Sequence, residues 1–269
     1  MFYEGTEKRL LICTKELNLL TLAEDFWHQL VAQSGAEILS SIQNSTIKAY
    51  LLSESSLFIW QDKLLLITCG HTKLVNAALF IRKQFEKQQI TTLLFQRHQA
   101  LKPHLQASSF KQDTLLLEKL FNGQQKHWRD DYQGDLFLFG DITRNTMPTQ
   151  SIYMLHGLRG GLAEDLQQKT LSKITILESL QLEVFFNGLT IDHFSLNPKG
   201  YSLNALYGED YLTIHLTPEK LSTYLSMETS FSEKKCTHFI RHLHELFSPQ
   251  RSKKMHFNTT EKQLDISLS

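Results

Sequence analysis

Apolar residues recur at helical spacing in three stretches of the chain. Over 18–34, Leu20, Leu22, Phe26, Leu30 and Val31 fall close to one face of a 3.6-residue turn, which predicts an amphipathic helix. The same spacing recurs over 73–88, through Leu74, Ala77, Ala78, Ile81 and Phe85. It recurs again over 233–247, through Cys236, Phe239, Ile240, Leu243 and Phe247. Between these lie runs rich in Leu, Ile, Phe and Tyr, broken by polar turns. Residues 48–60 and 64–69 predict one hairpin, 200–217 a second around Gly208-Glu209, and 91–95 and 135–139 two further strands. Residues 100–160 carry no clear period. Helices interspersed with hairpins, without strict β-α-β alternation, point to an α+β layered fold with mostly antiparallel sheet.

Each hairpin carries polar residues that its apolar pattern does not explain. Ser53-Glu-Ser-Ser56 interrupts the run Ala49 to Trp60. The plain reading is a half-exposed strand with serines facing water. If Gln61-Asp62-Lys63 form a three-residue loop, however, Trp60 lies opposite Leu64 and Ser55 opposite Cys69, and a hydroxyl meets a thiol. In the second hairpin a type II′ turn at Gly208-Glu209 sets Tyr207 against Asp210 and Ser202 against His215. A Ser and a His so placed can exchange a proton. A satisfied His in a half-buried strand is the alternative, and no third carboxylate completes a hydrolase triad.

Composition narrows the context. The chain has 269 residues, enough for one large domain or two small ones, with no linker or repeat to divide it. Lys+Arg and Asp+Glu both number 28, so charge gives no reason to expect nucleic acid or an anionic membrane as partner. Three irregularly spaced cysteines argue against a disulfide framework and for a reducing compartment. The first residues lack the order of a signal peptide, and no apolar run approaches a bilayer span, so a cytoplasmic protein is expected. His238, His242 and His244 include an i, i+4 pair, but without an HExxH pattern or an acidic third ligand a solvent-facing helix is the better reading and no metal is expected. Arg159-Gly160-Gly161 is too short for a phosphate loop, and Lys253-Lys254 reads as a solvated tail.

Four segments together resemble S-adenosylmethionine decarboxylase of the eukaryotic type. They are Tyr3-Glu-Gly-Thr-Glu-Lys8, Tyr50-Leu-Leu-Ser-Glu-Ser-Ser-Leu-Phe58 with Thr68-Cys-Gly70, Asn197-Pro-Lys-Gly-Tyr-Ser-Leu-Asn204, and Thr213-Ile-His-Leu-Thr-Pro-Glu219. Lys102-Pro103 is a fainter fifth match. The segments run in family order to about residue 230, in a chain several tens of residues shorter than typical members. The resemblance implies a single domain, 1–269, folded as a four-layer αββα sandwich of two antiparallel sheets with helices on the outer faces. It implies self-cleavage between Glu54 and Ser55 into a small chain, 1–54, and a large chain, 55–269. The large chain would be headed by a pyruvoyl group made from Ser55.

That pyruvoyl group would bind the substrate amine as a Schiff base and act as the electron sink for decarboxylation. The product would feed spermidine and spermine synthesis. His215 would take the Ser55 Cα proton, Ser202 would hold the tetrahedral intermediate, and Cys69 would reprotonate the substrate carbon. Glu4 and Glu7 match active-site acids. Tyr3, Leu52, Glu54, Leu196 and Glu219 match substrate-binding positions, Glu219 on the ribose. The partners implied are the small-molecule substrate and the two chains of the processed protein, and a homodimer is left open.

Departures are local. Leu196 replaces one of two phenylalanines that sandwich the adenine, with Phe194 two residues away as a substitute, and Lys199 stands where animal enzymes have an uncharged residue. Pyruvoyl-dependent ornithine or arginine decarboxylation is therefore an alternative, as is a non-catalytic regulatory paralogue. Leu11 and Ile67 replace charged members of the site that binds putrescine in animal enzymes, while Glu228 remains, which predicts little putrescine stimulation.

Overall fold

A computed structural model describes residues 7–100, 102–129, 134–140, 150–168, 171–196, 200–218, 223–259 and 264–269. The first half contains β1 (Lys8–Thr14), α1 (Glu24–Ser34), β2 (Ile38–Gln43), β3 (Lys48–Leu52), β4 (Ser55–Ile59), β5 (Lys63–Thr68), α2 (Val75–Gln84), β6 (Ile90–His98), α3 (Phe110–Leu117), β7 (Gln124–Trp128) and β8 (Gly134–Gly140). The second contains β9 (Gln150–His156), α4 (Gly161–Gln168), α5 (Lys173–Leu180), α6 (Leu182–Phe185), β10 (Thr190–Ser195), β11 (Tyr201–Tyr207), β12 (Asp210–Thr217), β13 (Tyr224–Thr229), α7 (Glu233–Phe247), β14 (Arg251–Thr259) and β15 (Leu264–Leu268).

Each half forms one antiparallel sheet. The strand orders are β2-β3-β4-β5-β1-β6-β8-β7 and β10-β11-β12-β13-β9-β14-β15. With β7 set aside the two orders are the same, so the molecule repeats its topology although the sequence shows no repeat. The alternation of side chains explains the layers. On β5, Leu64 and Leu66 face the helices, whereas Leu65 and Ile67 face the other sheet. Trp27, Leu30 and Val31 of α1 and Val75, Ala78 and Ile81 of α2 close the first outer core. Cys236, Phe239, Leu243 and Phe247 of α7 close the second. The inner layer joins Phe58, Leu65 and Leu94 to Met154, Tyr211 and Met255. The expected four-layer sandwich is the architecture observed.

Several local expectations need correction. The run 48–60 is not one strand: Ser53 and Glu54 form a tight turn between β3 and β4, with Leu52 opposite Ser55. The polar interruption therefore marks a chain reversal. The loop after β4 is also shorter than expected, because Trp60 N–H bonds Lys63 O at 2.8 Å around a Gln61-Asp62 turn. The register shifts by one, so Ser55 lies opposite Thr68, not Cys69. The second hairpin has the expected register, with Ser202 opposite His215 and Tyr207 opposite Asp210. Gly208 there has φ 58°, the sign a type II′ turn requires at its first central position. The first helix begins at Glu24, and only a short 3-10 turn covers 19–21. Lys253 and Lys254 lie in β14, paired with β9, not in a solvated tail. His242 is drawn inward, with Nε2 3.0 Å from Ser179 O and its ring against Phe185. Gly160 packs on the end of α7, where a Cβ would lie 2.0 Å from Leu246 O.

Candidate active site

The two hairpins face each other across the inner layer, with β10 over β2 and β11 over β3. β4 and β12 hold the same third place in their sheets. Ser55 Oγ lies 2.9 Å from His215 Nε2, so the serine at the β3–β4 turn meets the histidine of β12. Ser202, beside His215 on β11, holds the other ring nitrogen, with its Oγ 3.0 Å from Nδ1.

A strained backbone makes this meeting possible. Consecutive side chains on a strand point to opposite faces. Leu57 and Ile59 face the helices and Phe58 the other sheet, so Ser56 faces His215 and Ser55 should not. Yet Ser56 Oγ is 3.3 Å from the same Nε2. The break is at Ser55, whose φ is 149°. Neither Ser53 nor Glu54 has the positive φ that a primed two-residue turn needs at its first position; the unusual angle falls on Ser55 instead. For a residue with a side chain such a conformation costs on the order of 1–3 kcal/mol, and here it sits at the Glu54–Ser55 peptide.

Hydrogen-bond direction separates the two serines. Tyr50 O can only accept, so Asn204, 3.1 Å away, gives it an Nδ2 hydrogen and turns Oδ1 toward Ser56. Ser56 Oγ, 2.6 Å from that Oδ1, must donate to it. The Ser56 proton is thereby committed. Thr213 Oγ1 completes the cluster, 2.9 Å from His215 Nε2 and 3.2 Å from Ser56 Oγ. Ser56, Asn204 and Thr213 were not singled out from sequence; the signal was polar residues on strands that are otherwise apolar. Burial pushes the His215 pKa down to about 4, so the ring is neutral near pH 7.

Cys69 reaches the Glu54–Ser55 peptide from the end of β5. Its backbone N–H and its Sγ each lie 3.0 Å from Glu54 O, so the carbonyl accepts from both. Two donors on one carbonyl are the arrangement of an oxyanion hole. In this structure Ser202 binds the His215 ring, and Cys69 holds the Glu54 carbonyl. Glu7 enters on the far side of His215. Ser226, opposite His215 on β13, donates to Glu7 Oε1 at 2.8 Å. Burial, then Glu228, raise the Glu7 pKa to about 7.

Behind Glu7 lies a buried polar cluster of which the sequence had pointed only to Glu228. The Arg9 guanidinium donates to Glu228 at 2.5 Å, to Gln150 at 2.9 Å and to Gln96 at 3.1 Å. Tyr211 O–H also donates to Glu228, at 2.5 Å. Burial works against the Arg9 charge, but Glu228, Tyr211 and Glu7 outweigh it.

Leu52 and Phe194 lie on the strands beside this centre, opposite Ser55 and Ser202. Leu52 is fully buried, its side chain in the outer core beneath the helices. Leu196 is half-buried, its N–H bonded to Gly200 O at 2.9 Å, and Phe194 is 37% exposed on β10 opposite Ser202. Tyr3, Glu4, Lys199 and Glu219 lie outside the described residues. Among the described residues no group of three His, Cys, Asp or Glu could hold a metal, and no helix is long and apolar enough to cross a membrane.

Comparison with known proteins adds an independent line. The family profile for adenosylmethionine decarboxylase matches residues 1–268. The S-adenosylmethionine decarboxylase proenzyme of Leishmania donovani is 28% identical over 272 residues, covering 93% of this chain and 71% of that protein. The proenzyme of Dictyostelium discoideum is 27% identical, covering 92% and 68%. Proenzyme 3 of Arabidopsis thaliana is 28% identical, covering 88% and 76%. The crystal structure of the Trypanosoma brucei AdoMetDC-delta26 monomer superposes with a TM-score of 0.58 at 22% identity. That match spans 75% of this chain and 79% of that one, and it supports the fold.

Proposed function

The chain belongs to the adenosylmethionine decarboxylase family, and we propose that it cuts itself between Glu54 and Ser55 and then decarboxylates S-adenosylmethionine. The observation that carries this reading is a single scissile peptide served from both sides. Its serine hydroxyl lies 2.9 Å from a neutral imidazole, and its carbonyl takes two hydrogen bonds from Cys69.

Cleavage follows from these groups. Ser55 Oγ attacks the Glu54 carbonyl carbon as the Oγ proton leaves toward His215. Negative charge on the Glu54 oxygen is met by Cys69 N–H and S–H. The carbon–nitrogen bond breaks, the nitrogen takes the proton, and an ester replaces the amide, relieving the Ser55 backbone. His215 then removes the Ser55 Cα proton while the Cβ–oxygen bond breaks, and Glu54 departs as the carboxylate end of 1–54. Water replaces the nitrogen of the resulting dehydroalanine, releasing ammonia. Ser202 holds the imidazole by its far nitrogen throughout.

The donor set suits a pyruvoyl group at Ser55, because nucleophile, base and oxyanion donors converge there. That group supplies the electron sink needed when carbon dioxide leaves an amino acid. Around it, Cys69, held against Glu54 O, would return a proton to the substrate carbon. Glu7, held by Ser226 beside His215, lends a carboxyl with a pKa near 7 that would meet a cationic substrate. The Leu196 and Phe194 side chains provide the apolar flank for the nucleoside. The processed protein then consists of 1–54 and 55–269, held together within one sheet by the β3–β4 pairing and by β1 between β5 and β6.

The test is release of labelled carbon dioxide from S-adenosylmethionine, ornithine and arginine offered separately to purified protein. Release from S-adenosylmethionine alone is expected. Release from ornithine or arginine would move the substrate assignment within the same chemistry. No release from any of them, together with stimulation of a second decarboxylase, would make the chain a regulatory paralogue.

A further inference from the structure

Lys8 is one of the most deeply buried charged residues in the chain, at 1% exposure. It lies opposite Thr68 on β5 and sits on the helix side of β1 with Leu10 and Ile12, away from the gap between the sheets. Its three ammonium protons match three acceptors, all in the turn after β5: Gly70 O at 2.7 Å, Thr72 O at 2.8 Å and Thr72 Oγ1 at 3.3 Å. Thr72 Oγ1 in turn reaches Thr68 Oγ1 at 2.8 Å and Cys69 O at 3.1 Å. The turn so gripped carries Cys69, whose N–H and Sγ hold the scissile carbonyl. Burying an ammonium is costly unless its hydrogen bonds are met, and burial lowers the Lys8 pKa to about 8. An apolar side chain would fill this place on the helix face at less cost, so the charge calls for a further reason.

We propose that Lys8 is a positioning residue for self-cleavage: it clamps the 69–72 turn so that both Cys69 donors converge on Glu54 O. The inference rests on the self-processing reading above. The Lys8 ammonium gives its hydrogen bonds to Gly70 and Thr72, and its charge also interacts with Cys69 and Glu54. It acts through Gly70 and Thr72, and its effect falls on the first step, where the amide becomes an ester. A donor displaced by about 1 Å costs on the order of 100-fold in rate.

Lys8→Met, Thr72→Val and Thr72→Ser test it, each followed by the appearance of 55–269 in freshly made precursor. Hydroxylamine, which cleaves an ester but not an amide, reports how far each chain has gone. We expect Lys8→Met and Thr72→Val to slow self-cleavage roughly 10–100-fold with no hydroxylamine-sensitive precursor. Thr72→Ser, which keeps the bridging hydroxyl, restores a rate near that of the natural chain. If Lys8→Met does not fold, the Thr72 pair decides. Cleavage at the natural rate in folded Lys8→Met or Thr72→Val overturns the proposal, as does an accumulating ester, which would place the defect in the second step. A natural chain that never cuts itself overturns the self-processing reading and this proposal together.

Discussion

Two adjacent serines lie within 3.3 Å of one imidazole nitrogen, and only one is free to surrender its proton. The difference is set by a backbone carbonyl three residues into the preceding strand, through Asn204. The base has a comparable logic. An exposed histidine is half protonated near pH 6.5, whereas burial holds His215 neutral down to about 4. Self-cleavage of fresh precursor should therefore keep its rate from pH 7 down to about 5 and fail as pH approaches 4. A midpoint near 6.5 would contradict the burial argument. The same shift makes stability fall as pH drops from 6.5 toward 4, because the unfolded chain takes up a proton that the folded one refuses. Cys69→Ala removes one of two donors to the Glu54 carbonyl but keeps its backbone N–H. Rates of precursor cleavage should fall about 100-fold without reaching zero.

Periodic apolar stripes announced the elements that pack by those stripes. Helix α7 spans 233–247 as its pattern predicted, and four of the five stripe residues are fully buried. Between 100 and 160, β8 was predicted, but β7 and β9 escaped because β7 is an exposed edge strand and β9 a continuous buried run, and neither alternates. The β3–β4 turn escaped for a different reason: Ser-Glu lacks the Gly or Asn that marks a two-residue hairpin. That omission is informative, since the turn's misfit with the strand twist is what rotates Ser55 toward His215. A glycine inserted between Ser53 and Glu54 should relax Ser55, leave the far-ultraviolet circular dichroism unchanged and slow self-cleavage at least tenfold. Unchanged cleavage would remove strain from the account. The Ser202–His215 pairing was legible because Gly208 set its register; the Ser55–Cys69 pairing was off by one because the loop was counted one residue too long.

Across the whole molecule, one buried ion pair ties sheet to sheet. Arg9 belongs to the first sheet and Glu228 to the second, 2.5 Å apart and almost without solvent. Glu228→Gln leaves the guanidinium uncompensated and should destabilise the fold by about 3–5 kcal/mol, read as a lower denaturation midpoint. The pair also bears on regulation. Leu11 and Ile67 contribute apolar bulk to the inner core, Glu228 is already neutralised by Arg9, and Glu7 titrates only near pH 7. Little net negative charge remains to attract a diamine, so putrescine should change neither cleavage nor decarboxylation more than about twofold. Strong stimulation in either assay would show that another acidic site exists. Glu228 was noticed in the sequence only as an acid, without its partner Arg9, because the contact joins residues more than two hundred positions apart.

The most direct measurement is the intact mass of purified protein under denaturing conditions. Self-processing predicts two chains, 1–54 ending in a free carboxylate and 55–269 beginning with a pyruvoyl group in place of Ser55, while Ser55→Ala remains one chain. A single uncut mass for the natural sequence, stable over days at neutral pH, would contradict the central claim.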